Sequence, residues 1–155
     1  MHLEGTHTFR APRAQVWSVL LDPAALAGCL PGCEGFHPVG EGRYEATLTV
    51  GVANVKGTYK STIELRDVKA PDSYRLYVEG GGRPGSIKGE GLLVFSDGED
   101  GTVVSYSGDV QVTGTVARVG QRLLGSVAKM MVGKFFECMD GKVTVAGQAT
   151  SASAG

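Results

Sequence analysis

Between Phe36 and Gly114 apolar side chains recur at every second position, and after Gly114 they recur every 3.6 residues. A chain that switches period once, late, and does not switch back is read as a run of strands closed by one helix. Tyr44, Ala46, Leu48, Val50 and Val52 share one strand face, with Arg43, Glu45, Thr47 and Thr49 on the other. Tyr59, Ser61, Ile63 and Leu65 repeat the alternation against Lys60, Thr62, Glu64 and Arg66. After the turn "APDS" come Tyr74, Leu76 and Val78, then the break "EGGGRPG". Runs 87–95 and 103–112 follow, separated by the turn "SDGEDG". Short turns between consecutive strands make neighbours antiparallel.

Beyond Gly114, Val116, Val119, Leu123, Leu124, Val127, Met130, Met131 and Phe135 form an apolar stripe that reaches towards Cys138. Arg118, Gln121, Arg122, Ser126 and Lys129 lie mostly opposite. The spacing predicts one amphipathic helix over about 117–142. At the other end, residues 2–10 alternate and read as a first strand. "PRAQVWSVLLD" is a short helix with Pro12 at its tolerated first turn, and Asp22 caps a second short helix, "PAALAGCL".

A sheet that is polar on one face must bury the other, and here one long helix is available to cover it. The expected architecture is α+β: a helix-grip fold, with a curved antiparallel sheet wrapped on the C-terminal helix and two short helices after the first strand. Glycine, at 24 residues, is frequent within and between the strands, which suits a curved sheet. At 155 residues the chain reads as one domain, 1–143. The small polar tail 144–155 reads as disordered, the start of a linker.

Composition removes several function classes. The formal charge is −1, and no basic cluster is interleaved with aromatics, so nucleic acid is not an expected partner. No run of about 18 apolar residues is present to span a bilayer, and the polar N-terminus lacks a signal-peptide core. A cytoplasmic location is the default expectation. Three cysteines, Cys29, Cys33 and Cys138, are an odd number that fits reduced thiols better than a disulfide framework.

The segment "VWSVLLDPAALAGCLPGCEGF" resembles the signature of the carbon monoxide dehydrogenase G-subunit family, within the START-like (SRPBCC) superfamily. "VKGTYKSTIEL", "PDSYRL", "GGGRPGSIKGEGLLVF", "GTVVSYSGDVQVTGTVARVG" and "KFFECM" extend the resemblance in order, over residues 2 to about 142. The resemblance implies the helix-grip fold, and as partner a membrane-associated molybdenum CO dehydrogenase or a related hydroxylase. Members are thought to help recruit that enzyme to the membrane or its quinone pool. Many carry a longer C-terminal linker and hydrophobic segment, so this sequence is read as stopping inside that linker.

The loop "GCLPGCEGF" raises redox and metal chemistry. Either would need further ligands or a shorter, helix-capped cysteine spacing, and His2, His7 and His37 show no ligand spacing to the cysteines. Cys29 and Cys33 are read as small apolar packing residues beside a Pro-Gly turn. In the resembled fold this loop lies near a cavity mouth, which makes Leu26, Leu30, Pro31, Gly32 and Phe36 candidate entrance residues. No catalytic set is evident: His7 reads as an interior structural residue and Asp109 as solvated.

The cavity carries the functional expectation. Its walls are expected to be Leu48, Val50, Tyr59, Ile63, Leu76, Val78, Leu93, Phe95, Tyr106 and Val110, and its lid Leu123, Val127, Met130 and Met131. The same periodicity also fits a solid core, since it signals only burial. Three features favour a hollow: glycines 89, 91, 108, 114 and 120 near the inward phase, adaptable methionines on the lid, and the hydroxyls of Tyr44, Tyr59, Tyr74 and Tyr106. The expected function is non-enzymatic: binding and delivery of a lipid quinone, menaquinone or ubiquinone, between the inner face of the cell membrane and the dehydrogenase, with the quinone as non-covalent ligand and no metal. The alternative is an adaptor that tethers the dehydrogenase to the membrane without carrying a ligand.

Overall fold

The structure is a computed structural model that describes residues 1–52, 55–83 and 85–154. Strand β1 (His2–Phe9) is followed by helices α1 (Arg13–Leu20) and α2 (Pro23–Cys29). Six strands follow: β2 (Cys33–Gly40), β3 (Arg43–Val52), β4 (Val55–Lys69), β5 (Ser73–Gly82), β6 (Gly85–Gly98) and β7 (Gly101–Thr113). A 3₁₀ turn (Thr115–Val119) leads into α3 (Gln121–Ala154). All seven strands form one antiparallel sheet in the order β1-β7-β6-β5-β4-β3-β2. The helices α1 and α2 carry the chain from one edge of the sheet to the other; from β2 onwards each strand pairs with the next.

Local signals fix the ends of these elements. The Asp22 carboxylate accepts the Ala24 N–H at 3.2 Å, with Pro23 in the first turn of α2. The helix expected from about 117 begins later. Gly120 sits at φ 96°, a left-handed conformation that interrupts the helix and leaves only a 3₁₀ turn before it. At the other end α3 runs on to Ala154, so the expected domain boundary at 143/144 falls inside the helix. The glycine-rich break after Val78 is also shorter than expected. Gly80 and Gly81 remain paired to Ser61 and Lys60, and a side chain at Gly80 would collide with the Ser61 hydroxyl.

The tightly packed core occupies one end of the molecule. Phe9 of the edge strand β1 and Val104 of β7 beside it, Phe95 and Tyr74, the α1 residues Val16 and Leu20, and Phe136, Met139 and Val143 of α3 are all buried there. Trp17 closes this cluster with edge-on contacts to Phe95 at 5.0 Å and Tyr74 at 5.7 Å.

Candidate functional site

The ladder registers show which side chains share the helix-facing side of the sheet. Tyr44, Ile63, Val78, Gly89 and Val110 form one cross-strand row. Leu65, Leu76, Gly91, Gly108 and Leu3 form the next, and Leu48 pairs with Tyr59. The expected wall residues therefore do lie on one face.

Their burial divides them into two groups. Leu93 and Phe95 belong to the sealed core beside α1, which corrects their assignment as cavity walls: α1 and Trp17 fill the space in front of them. Tyr59 and Ile63 are buried. Leu48, Val50, Leu76, Val78, Tyr106 and Val110 are only half-buried, although they sit on the face that carries the helix. Leu76 and Tyr106 pack against the core cluster, which leaves Leu48, Val50, Val78 and Val110 as the half-buried residues of this face away from it. Gly89 and Gly91 put no side chain into these rows, a Cβ at Gly108 would run into the Glu90 carbonyl, and Gly114 and Gly120 flank the 3₁₀ turn instead.

The lid also divides. Val127 and Met131 are half-buried, as is Leu124. Met130 is 51% exposed and Leu123 37% exposed, so neither serves as lid. Met131 therefore lies on the packed side of α3 and Met130 on its solvent side. The candidate site is thus the set of half-buried apolar side chains on the helix-facing side of the sheet together with Val127 and Met131 of α3, which could line a groove beside the packed core.

The entrance residues lie together in chain order at the end of α2. Leu26, Leu30, Pro31 and Phe36 are half-buried and Gly32 is exposed. Gly32 adopts φ 74°, and a side chain there would run into the Thr49 carbonyl of β3. The Thr49 N–H donates to the Gly32 carbonyl at 2.8 Å, so the loop is fastened to the β3 strand. Phe36 stacks on Tyr44, with ring centroids 5.0 Å apart.

The cysteine expectation is corrected. Cys29 and Cys138 are joined in a disulfide, with Cα atoms 5.5 Å apart, and only Cys33 is free. The sequence separation of 109 hides this pairing, because it depends on α2 packing against α3. The Cys33 thiol donates to the Gly35 carbonyl at 3.4 Å.

A second relationship also escaped the sequence reading, which found no acid–base pair. His7 faces the interior as expected, stacks on Phe136 at 5.0 Å, and meets the Asp140 carboxylate at 2.9 Å. Asp109 lies on the opposite, solvated face as expected, where it pairs with His2 at 3.0 Å. Burial raises the phenol pKa of both Tyr74 and Tyr59 above the usual value. Both hydroxyls therefore stay protonated and able to donate at neutral pH; Tyr59 is the one beside the groove wall, opposite Leu48.

The outer face of the sheet is chemically different. A depression of about 700 Å³ there is lined by Arg43, Glu64, Arg66, Tyr77, Lys88 and Glu90 among others. Arg66 forks onto Glu64 and lies over the Tyr77 ring at 4.2 Å. That surface is charged, with Arg43 and Arg66 paired to Glu64, and is unsuited to an apolar ligand. Among the described residues no group of three or more His, Cys, Asp or Glu is placed to hold a metal ion, and no helix is long and apolar enough to cross a membrane.

Comparison with known proteins now decides the family. The family model of CoxG, the G subunit of carbon monoxide dehydrogenase, matches residues 5–144. The chain belongs to the CoxG family. A conserved protein from Geobacillus kaustophilus has a similar structure, with 35% identity and a TM-score of 0.90 over 94% of this chain and 97% of that one. The Zhui aromatase/cyclase from Streptomyces sp. R1128 shares the fold at 18% identity and a TM-score of 0.65, covering 93% of each chain. Ara h 8.0201 does so at 15% identity and a TM-score of 0.66, over 94% of this chain and 98% of that one. These two show the fold alone: a START-like helix-grip domain. No curated protein matches the chain by sequence.

Proposed function

We propose that this CoxG-family chain is a non-enzymatic carrier of a lipid quinone, menaquinone or ubiquinone. It moves the quinone between the inner face of the cell membrane and a molybdenum CO dehydrogenase or related hydroxylase. The observation that carries the reading is the half-buried state of Leu48, Val50, Val78, Val110, Val127 and Met131 on the helix-facing side of the sheet and on α3, where they would line a groove. A domain that only tethered a partner would gain stability by filling it.

The chemistry of the partner named by the family supplies the ligand class. CO oxidation releases electrons that must reach a respiratory acceptor, and isoprenoid quinones lie in the bilayer. Each tail CH₂ moved from water into an apolar groove gains about 0.8 kcal/mol, so a groove that shields most of the tail can compete with lipid. The protonated Tyr59 hydroxyl suits a quinone carbonyl as acceptor.

The test is organic extraction of the purified protein followed by mass spectrometry, with uptake from quinone-loaded vesicles measured in parallel. A near-stoichiometric quinone in the extract supports the carrier. An extract free of lipid, together with no uptake but intact binding to the dehydrogenase, would establish the adaptor instead.

A further inference from the structure

We propose that the Cys29–Cys138 bond is a reversible latch on the groove entrance, opened by thiol–disulfide exchange with a dithiol reductant. The inference rests on the carrier reading for its consequence, the rate of ligand passage, but not for the latch itself.

The entrance loop is held at two points. On one side the Thr49 N–H holds the Gly32 carbonyl, and Gly32 lies too close to the β3 backbone to accept any side chain. On the other side the loop begins at Cys29, the last residue of α2, which is bonded to Cys138 of α3. Only the second fastening can be switched chemically. It also ties down a helix with few buried side chains. That helix has seven residues, of which only Ala25 and Cys29 are buried, with Leu26 half-buried against the core. A helix this short has little stability of its own. With the bond cut, Ala25, the Cys29 thiol and the half-buried Leu26 and Ala27, with the packing of α2 on β2, remain to hold the helix.

Cys138 lies seven residues after Met131 on the same stripe of α3, so the bond ties the entrance loop to the lid helix. The two sulfurs are unequally protected. Cys29 is 4% exposed, whereas Cys138 is half-buried, which directs an incoming thiolate to the Cys138 sulfur. The Cys29 thiolate leaves, and the second thiol of the reductant then displaces Cys138. The exchange consumes one dithiol and one disulfide and yields one of each, transferring two electrons and two protons. Cys33 takes no part: its thiol is engaged with the Gly35 carbonyl on the far side of the turn.

The test compares protein oxidised with oxidised glutathione, the same protein after dithiothreitol, and the Cys138→Ser variant. Peptide mapping of the oxidised form should give a Cys29–Cys138 cross-link and one free thiol. Reduction should lower amide-exchange protection across residues 23–33 by about tenfold or more, and Cys138→Ser should match the reduced form without reductant. Release of menaquinone, followed in detergent, should accelerate by a similar factor. Three free thiols after oxidation, a Cys29–Cys33 cross-link, or unchanged protection on reduction would each overturn the latch. If protection changes but no form binds menaquinone or ubiquinone, the latch stands and the carrier reading falls. If menaquinone binds and leaves at one rate in every form, the latch does not control the entrance and the carrier reading survives.

Discussion

His7 and Asp140 meet at 2.9 Å across the join between the first strand and the closing helix. The His7 ring is also stacked on Phe136, one helical turn before its partner, so the pair and the stack fasten β1 to α3 together. Asp140→Ala removes the acceptor while leaving the stack. It should cost about 0.5–1.5 kcal/mol, the usual worth of one net hydrogen bond. His7→Ala removes both contacts and should cost more. Urea unfolding of the two variants and of the double variant checks this. If His7→Ala costs no more than Asp140→Ala, the stack contributes nothing.

Gly5 has a packing role that can be tested in the same way. A Cβ there would overlap the Tyr106 hydroxyl and lie 2.7 Å from the ring carbon that bears it. Tyr106 cannot swing aside freely, because it stacks on Phe136 at 5.4 Å. Gly5→Val should therefore destabilise by about 1–3 kcal/mol, as overpacked sites do. Adding Tyr106→Leu should recover part of the loss, and a thermal-unfolding cycle measures the coupling. Strictly additive losses would show that the two positions do not compete for space.

The strands and their inward phase were legible because period-two alternation is dictated by the pleat itself, whatever the strand order. Leu48, Tyr59, Ile63 and Val78 could thus be placed on one face without coordinates. The lid was legible only coarsely: periodicity put both Met130 and Met131 on the stripe, and only the docking of α3 leaves Met130 on the solvent side. Leu93 and Phe95 carried the correct phase but met α1, which no periodicity within the sheet announces. The pairings Cys29–Cys138 and His7–Asp140 join residues 109 and 133 positions apart. Both depend on how α3 docks, a relation that a single sequence does not encode locally. The odd cysteine count pointed away from a disulfide, yet one bond and one free thiol satisfy it equally well.

The acid limb of stability should show the Arg13 fork. The Arg13 guanidinium bonds both Asp97 oxygens, tying the start of α1 to the β6–β7 turn. That hydrogen bonding holds the Asp97 carboxyl below its ordinary pKa. A depressed folded pKa gives stability that is complete above the unfolded value and is lost as pH falls through the folded one. The Tm difference between wild type and Asp97→Asn should be constant from neutral pH down to about 5 and shrink below about pH 4. A difference that grows on acidification would reverse the assignment.

Met131 and Met130 separate groove from surface within one helical turn. Met131→Trp adds bulk to the half-buried side and should lower menaquinone affinity by about tenfold or more, roughly the 1.4 kcal/mol that a displaced pair of methylenes costs. Met130→Trp, on the exposed side, should leave affinity unchanged. Equilibrium titration in detergent, with circular dichroism to confirm folding, decides between them. Equal effects of the two substitutions would remove Met131 from the groove.

Leu30 tests where quinone enters. It follows α2 directly, is half-buried, and begins the Leu-Pro-Gly tip that β3 holds in place through Gly32. A short apolar tip at the mouth of a groove can dip into the acyl boundary of a bilayer. Fully burying one leucine is worth about 1.5–3 kcal/mol, and Leu30 has only its exposed part left to gain, so the visit is brief. Leu30→Asp replaces that gain with the cost of carrying a charge towards lipid. Transfer from menaquinone-loaded vesicles should slow by about tenfold or more, since each 1.4 kcal/mol is a factor of ten. Binding of menaquinone already dispersed in detergent should change by less than about threefold, because the groove walls are untouched. Stopped-flow fluorescence gives the first quantity and titration the second. An unchanged transfer rate would move the membrane-facing door away from this loop. A matching loss in both measurements would make Leu30 part of the groove wall instead.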